Sequence, residues 1–135
     1  MTLPPYAPAR IPVKPQTRLT EPEVSLSAGK RVRPQMYVVG WPDGIIKVGC
    51  TSHGRQRWGR FLTRGGIMLD IGYYPGADSV YAEIWLQEQL EKTYSLAFRS
   101  KEEAKPYLGN NGCGYLECFR VPVSDWPAVV ELSRS

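Results

Sequence analysis

A small set of polar side chains in this chain has the types that phosphoryl transfer needs. Tyr37 and Lys47 lie ten residues apart, on two runs of strand-forming residues that the turn sequence WPDG connects. If these runs pair as an antiparallel hairpin, the two side chains can lie near each other. Arg57 lies near the start of a predicted helix, and Glu88 and Glu91 lie one turn apart on a later one.

The chemistry of such a set is the hydrolysis of a phosphodiester. A carboxylate binds a hard divalent cation. An arginine and the cation together neutralise charge on the phosphate, and a tyrosine or lysine handles the proton of the attacking water. This hypothesis requires the carboxylate, the tyrosine and the arginine to face one pocket.

Each of these residues also has a purely structural interpretation. Tyr37 can pack in a half-buried strand, and Lys47 can extend its ammonium group from a sheet edge. Glu88 can pair with Lys92 one turn later on the helix surface. A zinc site is a further alternative, because Cys50, His53, Cys113 and Cys118 supply four possible ligands, although Cys50 and Cys118 lie in predicted strands.

The order of the short motifs resembles that of the GIY-YIG nuclease superfamily. These motifs are MYVVG, KVGCT, RQRWGRF, LEKTYSLAF and LECF. The second motif is K-V-G, which is similar to a phage-associated branch that reads K-I-G-x-T, and Thr51 fits that pattern. Arg57 and Trp58 match the arginine motif. Leu90, Glu91, Tyr94 and Phe98 match the motif of the metal-binding glutamate, and Glu117 and Phe119 match a final E-x-F strand.

The resemblance implies that the chain is a metal-dependent DNA endonuclease. Glu91 is then the ligand of Mg²⁺ or Mn²⁺, Tyr37 with help from Lys47 activates water, and Arg57 stabilises the pentavalent phosphorus. Lysine in place of the family's second tyrosine leaves the proton-handling group open. Further residues are expected to contact DNA, namely Thr51, His53, Arg55, Arg60 and Arg64.

The elements that must position these residues follow from hydrophobic periodicity. Strands are predicted at 36–39, 45–50, 68–74 and 115–121, and helices at 55–64, 80–98 and 124–132. A single helical turn is also possible at the KEEAK sequence. The predicted fold class is therefore α/β (α+β), with a small mixed sheet of three to four strands flanked by helices in the order β-β-α-β-α-β-α.

Charge and composition divide the chain. Residues 1–34 are rich in proline and carry the whole net charge of +4, because residues 35–135 contain eleven basic and eleven acidic groups. A disordered basic arm (1–34) is therefore predicted before the nuclease-like domain (35–123) and a terminal helix with its tail (124–135). Such an arm suits a polyanion, although a solubilising tail is an equal alternative.

Localisation and partners are expected as follows. No run approaches the ~20 apolar residues that a membrane span needs, and an odd number of cysteines argues for a reducing cytoplasm. DNA is the expected partner of a monomer or homodimer, with either low sequence specificity or specificity supplied by another chain. The alternatives are a non-catalytic DNA-binding module on the same fold and a protein-interaction domain.

Overall fold

A four-stranded antiparallel sheet with helices on both faces forms the body of the protein. The computed structural model describes residues 13–26 and 34–135. Strands β1 (Gln35–Trp41) and β2 (Ile45–Thr51) form the central hairpin. Strand β3 (Ile67–Tyr73) pairs with β1, and the short β4 (Cys118–Arg120) pairs with β2, so the order is β3-β1-β2-β4.

The helices follow the predicted order with two additions, one before β1 and one between the second and third predicted helices. They are α1 (Glu21–Leu26), α2 (Arg55–Leu62), α3 (Asp78–Glu91), α4 (Lys101–Leu108) and α5 (Trp126–Arg134). From β1 onward the order is β-β-α-β-α-α-β-α. The α+β class and the four strands are confirmed. The sheet is antiparallel in all three pairings rather than mixed, and the single turn predicted at KEEAK is the complete helix α4.

Alternation along the central strands creates a core on each face of the sheet. Met36 and Val38 of β1 face one way and pack with α3 and α5, whereas Tyr37 and Val39 face the other way and pack with Phe61 of α2 and with α4. Both central strands are therefore buried over most of their length, as expected for strands covered on two sides.

Helix α3 ends well before residue 98, where the sequence predicted its end. After Glu91 the chain runs along β4 instead: the Ala97 amide donates to the Cys118 carbonyl at 2.9 Å, and the Arg120 amide donates to the Ser95 carbonyl at 2.9 Å. This pairing with β4 satisfies backbone groups that a longer helix would have satisfied internally. The LEKTYSLAF sequence is therefore not helical beyond its first residues.

The segment 13–26, which the sequence predicted to be disordered, lies on the domain. Lys14 is buried and donates to the Ser133 carbonyl, and Arg18 forms a bidentate ion pair with the buried carboxylate of Asp70, at 2.9 and 3.0 Å. Helix α1 begins with a capping box in which the Thr20 hydroxyl accepts from the Glu23 amide and the Glu23 carboxylate accepts from Thr20. The rest of the predicted arm, including the basic residues 30–33, lies outside the described residues.

Within the described ranges, no helix combines the length and the apolar character needed to cross a bilayer.

Candidate functional site

The Tyr37 ring lies across the backbone of Gly49 in the neighbouring strand. The two residues are paired in the β1–β2 register. A Cβ atom built on Gly49 would lie 2.3 Å from the Tyr37 hydroxyl oxygen and 2.4 Å from Cζ, so only glycine leaves room for the ring here. The hairpin thereby fixes the hydroxyl beside β2, although Tyr37 is only 1% exposed.

Lys47 lies next to Tyr37 on the same face of the sheet. Its Nζ atom is 5.9 Å from the centre of the Tyr37 ring and 3.4 Å from the Glu117 Oε1 atom. Burial alone lowers the pKa of Lys47, but the surrounding groups, Tyr37 and Glu117 first, outweigh burial and raise it. The Glu117 carboxylate is the ionic partner of Lys47, which is only 3% exposed.

Side chains from both faces of the sheet meet where β4 ends and the edge of β2 becomes open. Strand β4 pairs only with residues 45–47 of β2. One residue further, the Val48 carbonyl accepts from the Gln87 Nε2 atom of α3 at 3.1 Å, and the same nitrogen lies 3.3 Å from the Glu117 Oε2 atom. Glu83 lies one helical turn before Gln87 on the same side of α3.

Glu83 is the carboxylate that the fold brings to this edge. Burial, followed by the charge of Glu117, raises the pKa of Glu83 to about 7, and hydrogen bonds from the side chain and backbone of Cys50 offset part of that rise. Glu83 thus exchanges its proton near neutral pH. The Cys50 thiol stays protonated, because burial raises its pKa to about 12.

Glu91, the residue predicted to bind the metal, is not part of this cluster. It is the last residue of α3 and is exposed. It lies eight residues beyond Glu83, which is about 12 Å further along the helix axis. The carboxylates that shift the pKa of both Tyr37 and Lys47 are those of Glu117 and Glu83.

The environment of Tyr37 restricts what its hydroxyl group can do. Burial raises the pKa of Tyr37, and the positive charges of Lys47 and Arg57 offset only part of that effect. The phenol therefore stays protonated at neutral pH. It can orient a water molecule through a hydrogen bond, but it is not a phenolate base in this state.

Helix α2 presents an arginine-rich surface beside this hairpin. Arg55, Arg57 and Arg64 are exposed, and Arg60 is half-buried over the Phe61 ring. In residues 13–26 and 34–135, none of the four forms an ion pair with an acidic side chain. The Nε atom of Arg60 is buried without a hydrogen-bond partner. Unneutralised guanidinium groups of this kind are suited to phosphate oxygens.

The remaining predicted DNA contacts lie on the turn before α2. His53 is exposed, and its backbone amide donates to the half-buried Thr51 hydroxyl at 2.9 Å.

The zinc alternative is not supported, because the described part of the chain contains no group of three or more histidine, cysteine or acidic side chains that could hold a metal ion. Cys118 is buried and Cys113 is exposed.

The donor chemistry at the edge of β2 nevertheless fits Mg²⁺ or Mn²⁺. Mg²⁺ typically binds proteins through one or two carboxylates and keeps several of its waters, so it does not require a cage of three or more protein ligands. Glu83 and Glu117 are oxygen donors close enough for the charge of one to raise the pKa of the other. Of the two, Glu117 already has a cationic partner in Lys47, whereas Glu83 accepts only from Cys50 in the contacts described above, so Glu83 would be the ligand.

Two features lie away from this edge. A cavity of 920 Å³ lies between the 13–26 segment, β3 and the end of α5. None of the residues proposed for the site lines it. The cations Lys14 and Arg18 serve to attach that segment to the domain, through Ser133 and Asp70. They are therefore not free to contact a polyanion.

No protein-family model matches the chain, and no curated protein or solved structure matches it significantly.

Proposed function

We propose that this protein is a metal-dependent DNA endonuclease of the GIY-YIG type, with Glu83 rather than Glu91 as the metal-binding carboxylate. The observation that carries the proposal is the convergence at one open strand edge of a tyrosine, a buried lysine and a carboxylate with a pKa of about 7. The adjacent helix α2 and the turn after it carry four arginines without acidic partners in the described residues.

The roles in the proposed reaction follow from the protonation states. The oxygen of a water molecule bonds to phosphorus and the proton of that water passes to solvent, while the bond from phosphorus to the leaving sugar oxygen breaks and that oxygen takes a proton from solvent. Mg²⁺ or Mn²⁺, when bound by Glu83, supplies positive charge for a phosphate oxygen and lowers the pKa of bound water. The protonated Tyr37 orients water, and the Lys47 ammonium and the Arg57 guanidinium stabilise negative charge on the phosphate.

A matched pair of variants on one helix tests the proposal. Plasmid DNA is incubated with purified protein and Mg²⁺ or Mn²⁺, and nicking is followed on a gel. We expect Glu83→Gln to slow nicking by about 100-fold or more, whereas Glu91→Gln nicks like the wild type. DNA binding by Glu83→Gln should persist, because the arginines are unchanged. Equal activity of Glu83→Gln and wild type would refute the assignment.

One observation favours the alternative of a non-catalytic DNA-binding module. Tyr37 and Lys47 are almost completely covered, at 1% and 3% exposure, and Lys47 already has Glu117 as an ionic partner. This alternative would be supported by a wild-type protein that binds DNA but does not nick it, whichever divalent ion is added. Absence of binding even at low salt, where phosphate contacts are strongest, would instead favour a protein-interaction domain.

A further inference from the structure

Gln87 bridges three elements at the candidate site through one side-chain amide. The amide nitrogen donates to the Val48 carbonyl of β2 at 3.1 Å and to Glu117 Oε2 at 3.3 Å. The other oxygen of that carboxylate, Oε1, lies 3.4 Å from the Lys47 ammonium nitrogen. A continuous chain of polar contacts therefore runs from α3 through Glu117 to the buried lysine.

These two acceptors determine which way the amide is turned. The nitrogen has two hydrogens, and each has an oxygen acceptor. The reversed amide would place its own oxygen against a carbonyl and a carboxylate, which cannot donate. Gln87 is thus held in one orientation by the same contacts through which it holds Glu117.

The contact between Lys47 and Glu117 is too long to hold the Glu117 carboxylate in place by itself. A separation of 3.4 Å is longer than the roughly 2.7–2.9 Å of a strong charge-assisted hydrogen bond, so the contact by itself constrains the carboxylate weakly. The Glu117 side chain is 35% exposed and lies on a 3-10 turn preceded by Gly114 at φ 93°. Within the described residues, its side-chain hydrogen bonds are those to Lys47 and Gln87.

We propose that Gln87 is a positioning residue, which holds the Glu117 carboxylate so that the Lys47 ammonium stays fixed beside the Tyr37 ring. Its role in cleavage rests on the proposed function, whereas its effect on Lys47 does not. Loss of the amide donor frees Glu117 to turn toward solvent. Lys47 then loses its partner in a site where burial disfavours its charge.

The test combines an activity measurement with a direct view of the lysine. In Gln87→Leu we expect kcat for plasmid nicking to fall by about 10- to 100-fold while KM changes less than about threefold, because a misplaced group slows the reaction without weakening the arginine contacts. In ¹⁵N-resolved NMR spectra, the slowly exchanging Lys47 ammonium signal expected for the wild type should disappear. Gln89→Leu is the matched control, because Gln89 lies on the same helix and contacts Lys92 instead.

A double-mutant cycle separates positioning from a general packing role. If Gln87 acts through Glu117, Gln87→Leu adds no further loss of kcat in a Glu117→Gln background. The proposal would be overturned if the losses of kcat in Gln87→Leu and Glu117→Gln multiply in the double variant, or if the Lys47 signal persists in Gln87→Leu. Gln87→Met, which retains length without donors, replaces the leucine variant if that variant does not fold. If wild type cleaves nothing, the proposed function fails, and the NMR signal still decides whether Gln87 fixes the lysine.

Discussion

Replacing Gly49 with alanine directly tests the packing on which the candidate site depends. The added Cβ would lie 2.3 Å from the Tyr37 hydroxyl oxygen, 2.4 Å from Cζ and 3.0 Å from Cε1. Rotating the hydroxyl hydrogen cannot relieve contacts with the ring itself. The ring must move, and it packs against Phe61 with ring centres 6.0 Å apart in the core formed with α2 and α4.

The expected cost is a balance of two terms. Overpacking a well-packed core typically costs about 1–3 kcal/mol. Alanine recovers roughly 0.5–1 kcal/mol of the entropy that glycine loses in a strand. The 2.3 Å contact places this substitution at the upper end of the first range, so we expect Gly49→Ala to lower the free energy of unfolding by about 2–2.5 kcal/mol. It should also slow any DNA nicking, because the Tyr37 hydroxyl is displaced.

Urea unfolding followed by tryptophan fluorescence measures this change, with Gly59→Ala as the control. A Cβ on Gly59 meets nothing closer than an Arg55 side-chain carbon at 3.7 Å, so alanine there should stabilise α2 by up to about 1 kcal/mol. The double variant Gly49→Ala/Tyr37→Leu should cost less than the sum of its parts. If Gly49→Ala is as stable as wild type, the inferred clash is wrong.

Three further predictions concern ionic groups. Asp70→Ala should lower the free energy of unfolding by about 2–3 kcal/mol in a urea titration, because Asp70 is buried and bonded to two arginines and Ser133. The control Asp78→Ala removes an exposed contact to Thr17 and should cost under about 1 kcal/mol. In EDTA the wild type should lose stability relative to Glu83→Gln as pH rises from about 4.5 to about 7, because a raised carboxyl pKa means that the folded state binds more protons in that window. A difference in free energy of unfolding between the two proteins that does not change with pH would contradict the raised pKa of Glu83. The salt dependence of DNA binding should weaken by about 0.9 in the log–log slope for Arg60→Ala but stay unchanged for Lys105→Ala, and equal slopes would exclude a phosphate contact by Arg60.

Most elements of the fold could be predicted because local signals and tertiary packing agree. The turn sequence WPDG and the flanking apolar runs predict the β1–β2 hairpin. Gly65 lies just after the end of α2 and has a φ of 88°, a conformation that favours glycine and stops the helix. Helix α4 was underestimated because KEEAKPYL contains an internal proline and few apolar residues. Its buried Ala104 and Leu108 pack beneath the sheet, a tertiary contribution that propensity does not include.

The segment 13–26 could not be predicted from composition. Its prolines and few large apolar residues indicate a chain that cannot form its own core. It is held instead by long-range contacts: Arg18 reaches Asp70 at a separation of 52 residues, and Lys14 reaches Ser133 at a separation of 119. Polar contacts between such distant positions leave no periodic signal in the sequence.

Part of the cluster at the edge of β2 could be predicted from the sequence, and Glu91 lies outside that cluster for one physical reason. Tyr37, Lys47 and Arg57 were chosen from the hairpin and from the start of α2, where the predicted elements match the structure closely. Glu91 was chosen because the LEKTYSLAF sequence resembles a motif in which the metal-binding glutamate lies within a long helix. Because the chain leaves the helix at Glu91 to pair with β4, the motif that places this glutamate on a helix face does not describe the structure.

Helix geometry, rather than motif matching, identifies the residues that were missed. Buried Ala82, Leu86 and Leu90 fix the side of α3 that packs on the sheet. Glu83 and Gln87 are polar, lie four residues apart and each follow a buried residue of α3. They therefore lie at the border of the buried side of the helix, from which Gln87 reaches the open edge of β2. A border position explains how Glu83 combines partial burial with access to solvent. Burial at this border raises the pKa of Glu83 to about 7, whereas Glu91 is exposed at the end of α3.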